Sequence, residues 1–249
     1  MNNLLKSLLV GSCIAVTSES ALASPIYSND FDGTETFSEG ATGALSGVTT
    51  TASVESFPAP FAGNMLHNDT GGTYFPPPVV PGLPTTLTLM NLPAHTSIDV
   101  EFLLAIVNTW DGIGGFPNGG GDTFNVLVDG TPVFSETFAI QSGTQSYVPP
   151  AGVDLGYGSF GFPGGSDKAF DMTFEPTLHN IAHTASSVTI QWFADGPGWQ
   201  GASNGLDESW GMDNLRVSFT AVPEPSALAL LGFGLAALGF GRRRRRPAR

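Results

Sequence analysis

Apolar and polar positions alternate with period two through much of residues 24–220, as expected of strands with one face in a core. In residues 97–107, Ile98, Val100, Phe102, Leu104 and Ile106 share one face. Asp99 and Glu101 lie on the other face, which turns apolar at Leu103, Ala105 and Val107. In residues 123–129, Phe124, Val126 and Val128 point one way. Asp129-Gly130 then reads as a hairpin turn, with residues 132–138 as the returning strand. Val188, Ile190 and Trp192 face together, as do Leu215, Val217 and Phe219, and Leu87 and Leu89 mark another short strand. Gly and Pro scattered between these runs argue for many turns and against long helices. No repeat of fixed period is present, which disfavours a propeller or solenoid. About ten strands with loops of mixed length predict an all-β chain, a jelly-roll-type antiparallel β-sandwich. Residues 75–84, FPPPVVPGLP, are expected to run extended across its surface.

Both ends break the alternation. Residues 1–23 set Lys6 beside an apolar run, 4–16, and close on Ala21-Leu22-Ala23. That is the outline of a secretory signal peptide cleaved after Ala23. The run is too short, and too polar after Val16, for a permanent span. Val10-Gly11-Ser12-Cys13 offers a rival reading as a lipoprotein cleavage box, against which stand a short apolar stretch and a poorly fitting Gly11. At the other end, residues 226–241, SALALLGFGLAALGFG, form 16 uncharged positions. As a helix they rise about 24 Å at 1.5 Å per residue, slightly less than a bilayer core of about 30 Å. Local thinning or snorkelling arginines would close the gap. The arginines at 242–246 are expected on the cytoplasmic side, with the rest of the chain outside. The expected organisation is therefore a signal peptide at 1–23, a β-sandwich domain at 24–220, and a C-terminal segment at 221–249 with a short transmembrane helix.

Charge sharpens this division. Of the 22 acidic residues only Glu19 and Glu224 lie outside 24–220, whereas of the nine basic residues only Lys168 and Arg216 lie inside it. A domain this acidic repels nucleic acid and anionic lipid. It suits divalent cations, which relieve repulsion among clustered carboxylates. Acidity also keeps an exported protein soluble. Cys13 is the only cysteine, so a mature chain starting at Ser24 has no disulfide and no cysteine metal site.

Val222-Pro223-Glu224-Pro225, the short apolar helix and the terminal arginine cluster together resemble the PEP-CTERM sorting signal of Gram-negative bacteria. The resemblance implies that Pro223, Glu224 and Pro225 are recognised by an exosortase, a membrane protease-transferase. It also implies passage through the inner membrane to the envelope or outer surface. A second resemblance lies in NLPAHTSIDVEF, NTWDG, GDTFNVLVDG and DESWGMDNLRVSF, between residues 91 and 219. These stretches are similar to exported bacterial sandwiches of the carbohydrate-binding-module and concanavalin-like kind. No recognisable sugar-binding constellation accompanies them.

That second resemblance implies a calcium site tying the first strand to the last. Asn29, Asp30 and Asp32 stand at one end of such a bridge, and Asp213 and Asn214 at the other. Asp and Asn also serve simply as turn residues. A second oxygen-rich place is the glycine-rich stretch 111–122, DGIGGFPNGGGD, with Asp111 and Asp122 at its ends. Its intermediate positions do not fit an EF-hand. His179 and His183 have helical spacing, but Asn180 stands where a zinc protease needs Glu, so zinc is disfavoured. Residues 201–205, GASNG, match the Gly-x-Ser-x-Gly elbow without its strand–helix context. Among the tryptophans, Trp192 alternates with core positions, whereas Trp199 and Trp110 lie in loops and are candidate platforms for a sugar ring.

The expectation is a non-enzymatic surface or extracellular-matrix protein, exported, stabilised by calcium and embedded in extracellular polysaccharide. A carbohydrate-binding module reading a defined glycan through Trp199 and Trp110 is the alternative.

Overall fold

The computed structural model describes residues 24–33, 35–54, 57, 59–72, 80–115, 119–163, 166–201, 207–222 and 234. The expected signal peptide, the proline-rich stretch 75–79, the GASNG positions 202–205 and the expected C-terminal apolar helix fall outside them. Among the described residues the chain is nearly all β, with two single 3-10 turns at Met172–Phe174 and Pro176–Leu178.

In chain order the strands are β1 (Ser24–Asn29), β2 (Glu35–Phe37), β3 (Thr42–Gly47), β4 (Thr51–Ser53), β5 (Asn64–Asn68), β6 (Thr85–Met90) and β7 (His95–Val107). There follow β8 (Asp122–Val128), β9 (Thr131–Phe138), β10 (Asp154–Gly158), β11 (Asp167–Asp171), β12 (Ile181–Ala182), β13 (Ser187–Asp195) and β14 (Ser209–Ala221). They form two antiparallel sheets. One runs β10-β11-β7-β14-β1-β2, with β12 also on β7, and with β5 on β14 carrying β4. The other runs β3-β6-β13-β8-β9.

The sheets face each other across one core. Val100, Phe102, Leu104 and Ile106 of β7 and Trp210, Met212, Leu215 and Val217 of β14 meet Phe124 and Val126 of β8 and Ile190 and Trp192 of β13. Phe124 and Trp210 meet edge-on across the gap at 5.1 Å, and Phe102 and Trp192 at 6.2 Å. The alternation read from the sequence is thus the inward face of each strand, in a β-sandwich.

Asp129 and Gly130 link β8 to β9 with φ of 48° and 76°. Both positive angles are what a two-residue hairpin needs to match strand twist. The apolar second face of β7 also has a cause. Leu103, Ala105 and Val107 lie under a second small core with Phe57, Phe61 and Phe160. The Phe57 and Phe160 rings stack at 4.4 Å. Loops around 57–61 and 160 therefore cover the outer side of the longer sheet where β7 turns apolar.

Candidate functional site

β7 and β14 pair antiparallel, with Val107 opposite Ser209. The residues just after β7 are therefore neighbours of those just before β14. Hydrogen bonds join them: Asn108 Nδ2 donates to the Asp207 carbonyl at 2.9 Å, Thr109 Oγ1 to Asp207 Oδ1 at 2.7 Å, and Trp110 Nε1 to the Ser209 carbonyl at 2.8 Å. Asp111 follows directly. The glycine-rich loop then returns to Asp122, whose N–H donates to the Asp111 carbonyl at 2.7 Å. The Asp111 N–H in turn donates to Asp122 Oδ2.

This geometry gathers Asp111, Asp122 and Glu208, with one carboxylate oxygen from each within 4.8 Å of the others. Among the described residues this is the one such trio. The three are 3%, 0% and 0% exposed. Asp111 Oδ1 accepts from Ser142 Oγ, and Glu208 Oε2 accepts from the Gln200 N–H. Asp122 Oδ1 and Glu208 Oε1 are buried without a hydrogen-bond partner. No described lysine, arginine or histidine forms an ion pair with any of the three. Burial pushes the Asp111, Asp122 and Glu208 carboxyls above the usual carboxylate range, and the charges of their neighbours add to it. Glycine backbone packs closely against them. A Cβ at Gly198 would lie 2.6 Å from Asp122 Oδ1 and 2.8 Å from the Gly120 carbonyl.

The structure thus brings Asp111 and Asp122 together and adds Glu208, which the motif reading did not single out. A signal for it exists in the sequence. The period-two pattern of Trp210 and Met212, carried one step upstream, puts Glu208 in phase with core positions.

Asp30, Asp32 and Asp213 do not form a trio of this kind. Asp32 and Asp213 instead clamp one turn. Asp32 Oδ1 accepts from the Asn64 N–H at 2.8 Å and from Asn64 Nδ2 at 3.0 Å, while Asp213 Oδ2 accepts from the Ala62 N–H at 3.3 Å. Asp30 Oδ1 accepts from the Asp32 N–H at 3.1 Å. First and last strands do converge here, on a stretch of backbone. Burial raises the Asp213 carboxyl to about 6.

Trp199 and Trp110 require a correction. Both are 0% exposed. Their rings meet edge-on at 5.2 Å, and Trp199 Nε1 donates to the Thr70 carbonyl at 3.3 Å. They are packed inside the fold, Trp110 next in sequence to Asp111 and Trp199 between Gly198 and Gln200, and neither presents a ring face to a sugar. The loop position of each was visible in the sequence; the packing of the two loops on each other was not. The histidines also separate. His179 Nε2 lies 2.7 Å from the Thr173 carbonyl, whereas His183 Nδ1 lies 2.6 Å from His95 Nε2.

β14 ends at Ala221, still paired with His95, and the Val222 N–H donates to the Ala94 carbonyl at 3.2 Å. A different kind of segment begins there. Residues 221–246 match the PEP-CTERM protein-sorting motif. The PEP-CTERM segment starts directly off the last strand of the sandwich, and it contains Pro223, Glu224 and Pro225, outside the described residues. Such a motif implies export, sorting to the membrane or envelope, and processing by an exosortase. Among the described residues no helix is long and apolar enough to cross a membrane. No curated protein matches the chain.

Proposed function

We propose that the chain is a non-enzymatic surface or extracellular-matrix protein whose calcium-stabilised β-sandwich is delivered to the cell envelope by its C-terminal segment. The match of residues 221–246 to the PEP-CTERM motif carries this reading. Pro223, Glu224 and Pro225 are its recognition residues for an exosortase. The apolar stretch 226–241 holds the chain in the inner membrane as a short transmembrane helix until processing, after which the domain stays at the outer surface or enters the polysaccharide matrix. A jelly-roll form, akin to carbohydrate-binding-module and concanavalin-like sandwiches, belongs to the same reading.

Two features support a non-enzymatic role and a bound ion. The acidic trio is buried, where it can hold an ion but cannot meet a polymer. The mature domain has no cysteine, so an ion that binds only the folded state is an available source of added stability. Glycan recognition keeps less support, because Trp199 and Trp110 are inside the fold.

Replacement of Pro223, Glu224 and Pro225 by alanine tests the sorting. The variant is expected to stay unprocessed in the inner-membrane fraction, while the wild type is shortened and reaches the outer envelope. Equal processing and equal fractionation of the two would refute it.

A further inference from the structure

We infer that Asp111, Asp122 and Glu208 form a built site for one calcium ion, which locks the residues after β7 to those just before β14. The inference deepens the calcium part of the reading above and rests on it.

Three carboxylates within 4.8 Å of one another, all buried, repel strongly where water screens little. Buried charges persist when they are paired or coordinate a metal. No described cation pairs with these. The second observation is independent of the charge count. Asp122 Oδ1 and Glu208 Oε1 receive no hydrogen bond from a nitrogen or hydroxyl, although each side chain is 0% exposed, and the side chain that meets the Asp122 carboxyl is the Glu208 carboxyl itself. Each residue's other oxygen is already held by a backbone N–H, from Asp111 and from Gln200 respectively. The carboxylates are thus fixed in orientation, with one oxygen apiece left over. Gly198 packs so closely on Asp122 Oδ1 and the Gly120 carbonyl that no side chain fits there, which puts a backbone carbonyl on the same side of Gly198 as the leftover carboxylate oxygen.

The donor set chooses the ion. It is all oxygen, which excludes the nitrogen and sulfur preferences of zinc. Calcium accepts six to eight oxygens at about 2.3–2.6 Å in irregular arrangements, including carbonyls and water. Magnesium demands near-ideal octahedral geometry and gives up water reluctantly. A site with fixed carboxylates and an adjacent carbonyl suits calcium.

Such an ion would join residues 111 and 122, the two ends of one loop, to residue 208, far along the chain. It would pin the two ends of the glycine-rich loop, Asp111 and Asp122, to the residues just before β14. Export fits such an ion, because extracellular calcium modules bind at about 10⁻⁴–10⁻³ M.

The test uses the full chain in detergent, stripped with EDTA and dialysed. Calcium titration with elemental analysis is expected to give one tightly bound calcium per chain and a rise in melting temperature, with at least a hundredfold weaker response to magnesium. Glu208→Gln should weaken calcium at least tenfold and abolish the rise, while Asp30→Asn keeps both. Terbium is a probe that needs no variant. Trp110 and Trp199 lie beside the site, so the folded wild type should show sensitised terbium emission that calcium displaces. Absence of that emission overturns the site even if Glu208→Gln does not fold. A melting rise retained in Glu208→Gln overturns the site and leaves the calcium reading standing. No calcium bound to the wild type overturns both. Equal displacement by magnesium overturns the choice of ion.

Discussion

Asp111 and Asp122 bond each other twice, the Asp122 N–H donating to the Asp111 carbonyl and the Asp111 N–H donating to the Asp122 carboxylate. This reciprocal pair closes the base of the glycine-rich loop. It also holds two carboxylates side by side in a place where neither has a cationic partner among the described residues.

Gly198→Ala tests how tightly the site is drawn. The added Cβ would press on Asp122 Oδ1 and the Gly120 carbonyl. Overpacking of this kind costs about 1–3 kcal/mol. Chemical denaturation should show that loss, together with a drop in calcium affinity. A variant as stable as the wild type would mean that the space is not confined.

Trp199→Ala separates packing from recognition. Removal of a fully buried tryptophan costs about 3–5 kcal/mol. The near-UV circular dichroism should change as well, because Trp199 and Trp110 are in edge-on contact. If Trp199 were instead a surface platform, the melting temperature would hardly move and polysaccharide binding would fall.

Asp167 sits at 0% exposure and accepts the Asn108 N–H at 2.9 Å and the Phe160 N–H at 2.7 Å. It ties the exit of β7 to the loop that covers the second core. Asp167→Ala strands two buried donors, each costing about 1–3 kcal/mol. The urea midpoint should fall accordingly, and protease cleavage near Phe160 should accelerate.

Asp213 predicts a pH effect. Its carboxyl is raised from 3.8 to about 6, chiefly by burial. A carboxyl raised in the folded state holds its proton more tightly there than in the unfolded chain. Its contribution to stability is therefore full below about pH 4 and is lost as pH rises through about 6. The loss is about 1–2 kcal/mol once solvent screening is allowed for. Asp213→Asn should flatten the difference in unfolding free energy between pH 4 and pH 7 relative to the wild type. An identical slope in both proteins would contradict it.

Much of the architecture was legible beforehand for one physical reason. A strand that packs on a core must alternate, so Phe124, Val126 and Val128, or Leu215, Val217 and Phe219, announce their faces locally. Asp129-Gly130 announces its turn in the same way, because few residue pairs accept two positive φ angles. The candidate site was half legible. Asp111 and Asp122 lie 11 positions apart, at the two ends of one loop, and local reading reached them.

Period two through Trp210 and Met212 marks Glu208 as an inward position but not what it meets. It joins the site only because Val107 pairs with Ser209 across the sheet. Trp199 and Trp110 were misread for the same reason, since exposure depends on which loop lies over which. The charge asymmetry, the strand faces and the PEP-CTERM segment are properties of contiguous residues, and sequence alone determined them. The meeting of the three carboxylates, the burial of the two indoles and the convergence of Asp32 and Asp213 on a single turn depend on contacts between distant parts of the chain, and only the tertiary structure decided them.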